Sequence, residues 1–506
     1  MKPQENINRR EFMGKAGKVA ATAATFSIVP AHVLAGSGKI APSDKLTVAN
    51  IGCGTQGLRE MGEMLRNPRI QVVAVCDVNK YSTDYLDWSA QGITRNIRRV
   101  LQDDSWAQDI KGIPGGRDYT KKYIDQYYGS KSCKPYEDFR ELLAKQKDLD
   151  VVKIMTPDHT HAAIAVAAMQ RKVHVVTHKP IANRLAEGRF TIETARKEGV
   201  LTNLLAWKPI PEHKLILEWI NDGVIGTLQE IHNWSFRPVW PKWHAVPADT
   251  PPVPKGFNWE LWLGPEKDRP YHPHYTHNVF RGWYDFGGGS IADMGHYSLF
   301  TLFDNLGIDR GPTSIKSYGT TNRTVVDQVC RGVKNDVAFP YSSMVRFKFP
   351  SQKALPAFDL YWYDGGMKPF APEELEADGR DIPAEGMMFV GDEGKILASF
   401  LGENPEIIPS WKMNAYQGRK AVEKKETKEG EQKTRTDLWA ESILNGDEAG
   451  GSFLKAGTIT DTINLAAVAL RTGKRLAWDE ANMRITNDEE ANQYLSRDYR
   501  KGWELG

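Results

Sequence analysis

Three stretches of this 506-residue chain carry side chains whose types and spacing could do chemistry. The first is Val173-His174-Val175-Val176-Thr177-His178-Lys179-Pro180, a short apolar strand that ends in a lysine set against a proline. An amine at a strand tip can hydrogen-bond a hydroxyl or carbonyl oxygen and stabilise negative charge that develops there. The second is Asp293, His296 and Tyr297, which follow the Gly287-Gly288-Gly289-Ser290 turn. They stand three and four residues apart, so an acid, an imidazole and a phenol can project from about one face of a helix. Either His296 or Tyr297 could be the group that exchanges a proton. The third is Gly52-Cys53-Gly54-Thr55-Gln56-Gly57, a G-x-G-x-x-G run.

The elements around the glycine run decide what it means. Leu46 to Ile51 reads as a strand, and Leu58, Met61 and Leu65 repeat at helical spacing after it. Between a strand and a helix, Gly52 permits the tight turn, Gly54 lets the backbone approach a pyrophosphate, and Gly57 lets helix and strand pack closely. Thr55 and Gln56 open the helix, whose N-terminus faces the phosphates. A second strand, Ile70 to Cys76, ends at Asp77, about twenty residues past the last glycine, where an acid holds a ribose 2′-hydroxyl. That acid repels a 2′-phosphate, so NAD is favoured, and Lys80 nearby keeps NADP possible.

Asp150 to Met155 is the next strand, and Thr156-Pro157-Asp158-His159-Thr160-His161 turns into an Ala-rich helix. This loop lies at a strand's carboxyl end, where ligands bind in open α/β sheets. Thr156, Pro157, His159 and His161 are expected to line the nucleotide cleft, and no metal is expected there. Strand and helix alternate as far as Val200 to Leu205, which argues a parallel, doubly wound sheet. Residues 81–130 exceed a simple crossover and read as an insertion in two helical pieces.

From Trp207 the pattern changes. Thr227 to Phe236 alternates like a strand, and a Pro/Trp/His-rich region then runs to about residue 283 without regular periodicity. Trp240, Trp243, Trp259, Trp262 and Trp283 within it suggest a substrate lip stacking on sugar rings. Ser342 to Phe349, Phe358 to Tyr363, Met387 to Val390 and Lys395 to Phe400 read as strands of a largely antiparallel sheet. A charge-rich segment spans 417–436, helices follow at 438–444 and 459–470, and the tail has one apolar anchor, Trp503.

A net charge of +2 gives no electrostatic case for nucleic acid. Cys53 and Cys76 fall on core strands, and without a CxxC pattern the four cysteines read as free thiols rather than a zinc site. Asn8-Arg9-Arg10-Glu11-Phe12-Met13, a modest apolar run and Val33-Leu34-Ala35 are those of a signal peptide over 1–35, of the twin-arginine class. That predicts export to the periplasm, with no stable membrane span.

Taken together, the glycine loop 52–57, Asp77, Thr156 to His161, His178-Lys179-Pro180 and Gly288 to His296 resemble the glucose–fructose oxidoreductase/inositol dehydrogenase (Gfo/Idh/MocA) family. The resemblance implies an N-terminal Rossmann domain, here 44–205, and a C-terminal α/β domain with an open, mostly antiparallel sheet, here 206–450, with a helix and tail over 451–506. It implies an oxidoreductase that moves hydride between NAD(P) and a sugar, glycoside or cyclitol, with Lys179 as the active-site lysine and Asp293 as the acid before the catalytic His/Tyr position. An exported enzyme would hold its cofactor tightly, and the sheet would serve homo-oligomerisation. Some relatives instead cleave glycosides through transient oxidation at C3. Two departures stand out: the family's Glu-Lys-Pro has His178 first, and the usual His position holds Tyr297, with His296 one residue early.

Overall fold

Leu46 to Ile51 is apolar except for Thr47 and Asn50, and it becomes β1 at the middle of a parallel sheet, buried at every position but Thr47. The computed structural model describes residues 44–238, 240–417 and 433–506. The expected signal peptide and most of the expected charge-rich segment lie outside the described residues. β2 (Ile70–Cys76), β3 (Lys134–Tyr136), β4 (Val151–Ile154), β5 (His174–Thr177) and β6 (Thr202–Leu204) join β1 in the order β3-β2-β1-β4-β5-β6. Every pairing in this sheet is parallel. The order reverses between β1 and β4, which opens a crevice at the carboxyl ends of those strands.

The second sheet is built from β7 (Leu228–Trp234), β8 (Ser314–Gly319), β11 (Ser343–Phe349), β12 (Phe358–Asp364), β13 (Gly386–Gly391), β14 (Lys395–Ala398), β15 (Glu406–Ile408), β16 (Leu476–Asp479) and β17 (Arg484–Ile485). β9 (Asn322–Val326) and β10 (Val329–Val333) form a separate hairpin that carries Cys330, the exposed member of four free cysteines. The nine strands run β15-β14-β13-β7-β12-β11-β8-β16-β17. All are antiparallel except the β7–β12 pair. Val345, Phe347 and Phe349 alternate inward on β11, as do Phe358, Leu360 and Trp362 on β12. They pack on the helices His296–Leu306 and Gly457–Thr472, and one apolar core continues from there to Ile164, Leu185 and Ile192 of the parallel-sheet half. The two halves therefore share their largest core. No helix among the described residues is long and apolar enough to cross a membrane.

One assignment changes. The helix Arg435–Asn445, grouped by sequence with the second domain, packs into the first. Trp439, Ala440 and Ile443 join the cluster of Leu46, Val48, Leu58 and Met61. Asn67 donates to Asp437 at 2.8 Å, and Thr436 donates to Glu63 at 3.0 Å. Amphipathic periodicity shows that a helix exists but not which sheet its apolar face meets. Trp439 is fully buried, so Trp439→Ala should cost ~3–5 kcal/mol as a large-to-small core change. Denaturant unfolding followed by circular dichroism checks this; a loss under about 1 kcal/mol would mean the helix merely rests on the sheet.

Candidate active site

The glycine loop behaves as steric accounting demands. Gly52 adopts φ +100°, and a Cβ there would lie 2.4 Å from the Met155 carbonyl carbon. A Cβ on Gly57 would lie 2.5 Å from the Gly52 oxygen, so the helix Thr55–Arg66 can sit this close to β1 only without a side chain. That helix has Gly54 at its N-cap, no side chain capping it and no acid in its first turn. Its first N–H groups are left for an anion.

Those groups open into a cleft lined by Gly52, Gly54, Thr55, Gln56, Asp77 and Tyr85 on one side. Asp77 accepts from the Cys53 N–H with Oδ2 and from the Asn79 N–H, at 2.8 Å, with Oδ1. Each oxygen keeps a second acceptor site for a hydroxyl. Burial raises its pKa, against the two backbone donors. Thr156 and Pro157 form the floor, and Phe257, Leu261, Trp262, His277 and Phe280 the opposite wall. A helix start free for a pyrophosphate and an acid at the end of β2, both lining one cleft, fit a dinucleotide.

Lys179 ends β5 beyond Thr177 and is 1% exposed. Its ammonium donates to Asp293 Oδ1 and lies 4.7 Å from the Tyr297 ring centroid. Arg281, from the long irregular segment, approaches the same Asp293 oxygen at 3.3 Å and stands 3.9 Å from Asp158. Charges thus alternate from Lys179 through Asp293 and Arg281 to Asp158. Burial pulls the Lys179 pKa down, Asp293 pulls it back, and it settles at about 8. Burial pushes Asp293 up, but Lys179 and Arg281 together hold it below the usual carboxylate range. Asp158, buried with a weaker partner, is raised, chiefly by burial.

Of the two proton-exchanging candidates, the structure puts Tyr297 at Lys179. Ile291–Gly295 is a π-helical turn leading into the helix His296–Leu306. A wider turn changes the angle between successive side chains, so a uniform 3.6-residue projection misplaces one of three. His296 turns into the core, fully buried, and its Nδ1 donates to the Ala292 carbonyl at 2.9 Å. Burial holds its pKa at about 3, so it stays neutral. Tyr297 remains half-buried, its hydroxyl 2.9 Å from His178 Nε2. Burial raises its pKa well above the ordinary tyrosine value.

His159 and His161 are also corrected. Neither lines the cleft. His159 is buried with Nε2 2.8 Å from the Trp262 carbonyl and Nδ1 3.3 Å from that of Phe286. It pins the opposite wall. His161 sits between the carbonyls of Thr156, at 2.8 Å, and Pro180, at 2.6 Å. It ties the cleft floor to the lysine loop. The tryptophans change role as well. Trp259, Trp262 and Trp283 are buried among Tyr271, Tyr275, Phe280 and Phe286, while Trp243 stacks on His274 and Trp283. They form a small core of their own, and the region walls the nucleotide cleft instead of offering open rings to sugar.

Arg281, Glu60, Arg435 and Trp503 were not singled out from sequence for the site. Trp503 lines the cleft after packing on Phe139, with Arg140 over its ring at 4.0 Å. Its apolar character in a polar tail was the one local signal. Tyr85 comes from the stretch read as an insertion of unknown use.

Comparison with known proteins agrees with this geometry. Residues 46–204 match the model of an oxidoreductase family with an NAD-binding Rossmann fold, GFO_IDH_MocA, and residues 214–320 match the C-terminal alpha/beta domain of the same family. The chain belongs to the Gfo/Idh/MocA oxidoreductase family. Levoglucosan dehydrogenase of Pseudarthrobacter phenanthrenivorans is 31% identical over 20% of this chain and 27% of its own length. A glycosyl hydrolase family 109 protein of Shewanella putrefaciens is 24% identical over 44% of each chain. The chain thus matches less than half the length of these curated relatives. The solved WlbA dehydrogenase of Chromobacterium violaceum, in complex with NADH and UDP-GlcNAcA, shares the fold at 13% identity, with a TM-score of 0.50 over 86% of this chain and 97% of that one.

Asp77→Ala should weaken NAD binding about tenfold or more, the weight of a hydrogen bond to a charged group. NADP should lose less. Fluorescence titration with both nucleotides checks this; equal losses would remove Asp77 from the ribose site.

Proposed function

We propose that this protein is an exported, NAD-dependent oxidoreductase that moves hydride between the nicotinamide and a hydroxyl-bearing carbon of a sugar, glycoside or cyclitol. The observation that carries the reading is Lys179, paired with Asp293 under the Tyr297 ring, beside a cleft that fits a dinucleotide. Bound NAD would supply the hydride-accepting ring. Tyr297 would take or return the hydroxyl proton. Lys179, as an ammonium, donates to the same oxygen and stabilises the charge that develops on it. Asp293 and Arg281 fix the ammonium's direction. The sugar substrate is supported by the name of the levoglucosan dehydrogenase relative, export by Arg9-Arg10 and the apolar run after them, and tight cofactor retention by that route.

A second reading has support from the glycosyl hydrolase family 109 relatives. There the same oxidation, at C3, would acidify the neighbouring C–H and allow glycoside cleavage before the hydride returns. Incubation with a panel of sugars and glycosides separates the two. Net NADH with no aglycone supports the dehydrogenase, aglycone release with no net NADH supports cleavage, and neither product across the panel overturns both.

The Lys179 ammonium is present below its pKa of about 8 and lost above it. Dehydrogenase kcat/KM should therefore fall as pH rises through about 8, and Lys179→Arg, which stays charged, should move that limb to higher pH. An unmoved limb would assign it to another group. Changing Arg9 and Arg10 to Lys should leave the protein in the cytoplasm, read by cell fractionation; unchanged export would rule out the twin-arginine route.

A further inference from the structure

Behind Tyr297 lies a set of buried and half-buried polar groups that the proposed reaction does not yet use. His178 is 5% exposed, and its Nε2 stands 2.9 Å from the Tyr297 hydroxyl. The same nitrogen lies 4.0 Å from Oε1 of Glu60, on the helix that starts at the glycine loop. Glu60 is in turn bound from both sides. Lys153, fully buried on β4, pairs with its Oε2 at 2.7 Å, and Gln56 donates to Oε1 at 2.8 Å. Arg435 lies 5.4 Å from the Tyr297 ring centroid. Holding a fully buried lysine against a half-buried glutamate is costly, and breaking such a pair costs more than replacing it. A glutamate kept ionised here faces the imidazole that touches the Tyr297 hydroxyl.

We infer that Tyr297, His178 and Glu60 form a proton relay: Tyr297 passes its hydroxyl proton to His178 Nε2 as it takes the substrate's, and the Glu60 carboxylate stabilises the imidazolium that results. The inference rests on the oxidoreductase reading. In the oxidising direction the substrate O–H bond breaks and its proton forms a new O–H on Tyr297. The former Tyr297 proton bonds to His178 Nε2, the substrate C–H electron pair leaves as hydride to the oxidised nicotinamide, and a C=O forms. The proton leaves His178 for solvent before the next turnover. Tyr297 ends neutral, so a phenol whose ionisation burial strongly opposes never has to persist as phenolate.

The surroundings set the resting state. Burial first, and then Lys179, Arg281, His161 and Lys153, hold the His178 pKa well below the ordinary histidine value. His178 therefore waits neutral, ready to accept. Lys153 and Gln56 keep Glu60 ionised although burial opposes it. Glu60 is a positioning residue, acting on the substrate only through His178.

Two measurements test this. In histidine-15N spectra of the NAD-loaded protein, with His178 assigned from His178→Asn, the relay requires Nδ1–H and an unprotonated Nε2 that accepts from Tyr297. A proton resident on Nε2 overturns it, and this readout needs no substrate. Second, single-turnover hydride transfer should fall about 100-fold or more in His178→Asn, the usual weight of a proton-transfer group. It should fall about tenfold in Glu60→Gln, the weight of one pKa unit, with substrate and NAD affinities within about twofold of wild type. Combined with His178→Asn, Glu60→Gln should add less than about a factor of two, since it acts through the imidazole. The same tenfold loss in both backgrounds would make Glu60 merely structural and overturn the relay. If Glu60→Gln fails to fold because Lys153 is left unpaired, Glu60→Gln with Lys153→Met removes both charges and carries the same comparison. A wild type that oxidises no sugar defeats the functional reading alone, because the tautomer still decides the hydrogen bond.

Discussion

A lysine ammonium buried to 1% exposure keeps its charge only if opposite charge is brought to it and held there. That constraint organises this molecule. Lys179 comes from the parallel sheet and Asp293 from the segment that opens the helix of the second half, so the pair exists only when the halves are docked. Nearly continuous apolar packing fixes the docking, running from Leu185 and Ile192 through Ile459 and Ile463 to Val345 and Trp362. Arg281 and Asp158 continue the alternation of charge, and each would be stranded if a neighbour moved. Folding energy from the apolar core is thus what sustains an otherwise costly string of ions, and the ions in turn define the direction of the ammonium.

The parts legible in the sequence are those set by local geometry. Gly52 and Gly57 are glycines because any Cβ there collides with backbone, a requirement that survives every tertiary context. The positions of Asp77 and Lys179, just past the carboxyl ends of β2 and β5, are legible because strand ends can be read from the apolar runs before them. Strand alternation located β7, β11 and β12 within a residue or two.

What stayed hidden depends on contacts between distant segments, or on a departure from ideal periodicity. A single π turn sends His296 to the core and keeps Tyr297 at the site, which a regular helical wheel cannot show. Glu60 and Arg435 are separated by most of the chain, yet Glu60 comes to within 4.0 Å of His178 and Arg435 to within 5.4 Å of the Tyr297 ring centroid. His159 and His161 illustrate another limit. Their place in a cleft-forming loop is readable, yet whether an imidazole faces the ligand or braces the scaffold is decided by carbonyls more than a hundred residues off for His159 and by the Pro180 turn for His161. His178 in place of the family's glutamate reads from sequence as a lost carboxylate. In three dimensions a carboxylate is present, delivered by the helix of the glycine loop.

The irregular region that walls the cleft is better understood as a fixed element than as a flap. Segments open easily when they bury little, and this one buries Trp259, Trp262, Tyr275, Trp283 and Phe286 in mutual contact. Stacked and edge-on pairs such as Trp259–Trp262 and Tyr275–Trp283 each add about 0.5–1.5 kcal/mol beyond burial. His159 fastens the wall to the Rossmann half from within. Outside it, Arg184, Glu266, Arg497 and Glu187 form a buried network that binds the C-terminal tail to the same wall. Opening the cleft would strand those charges as well as expose the rings. A nucleotide therefore meets a site whose two sides are already in place, and little of its binding energy goes into ordering protein. The same stiffness sustains the contacts at Lys179: a charged cluster split between two halves keeps its geometry only if neither half can drift, and the aromatic wall is what the second half leans on.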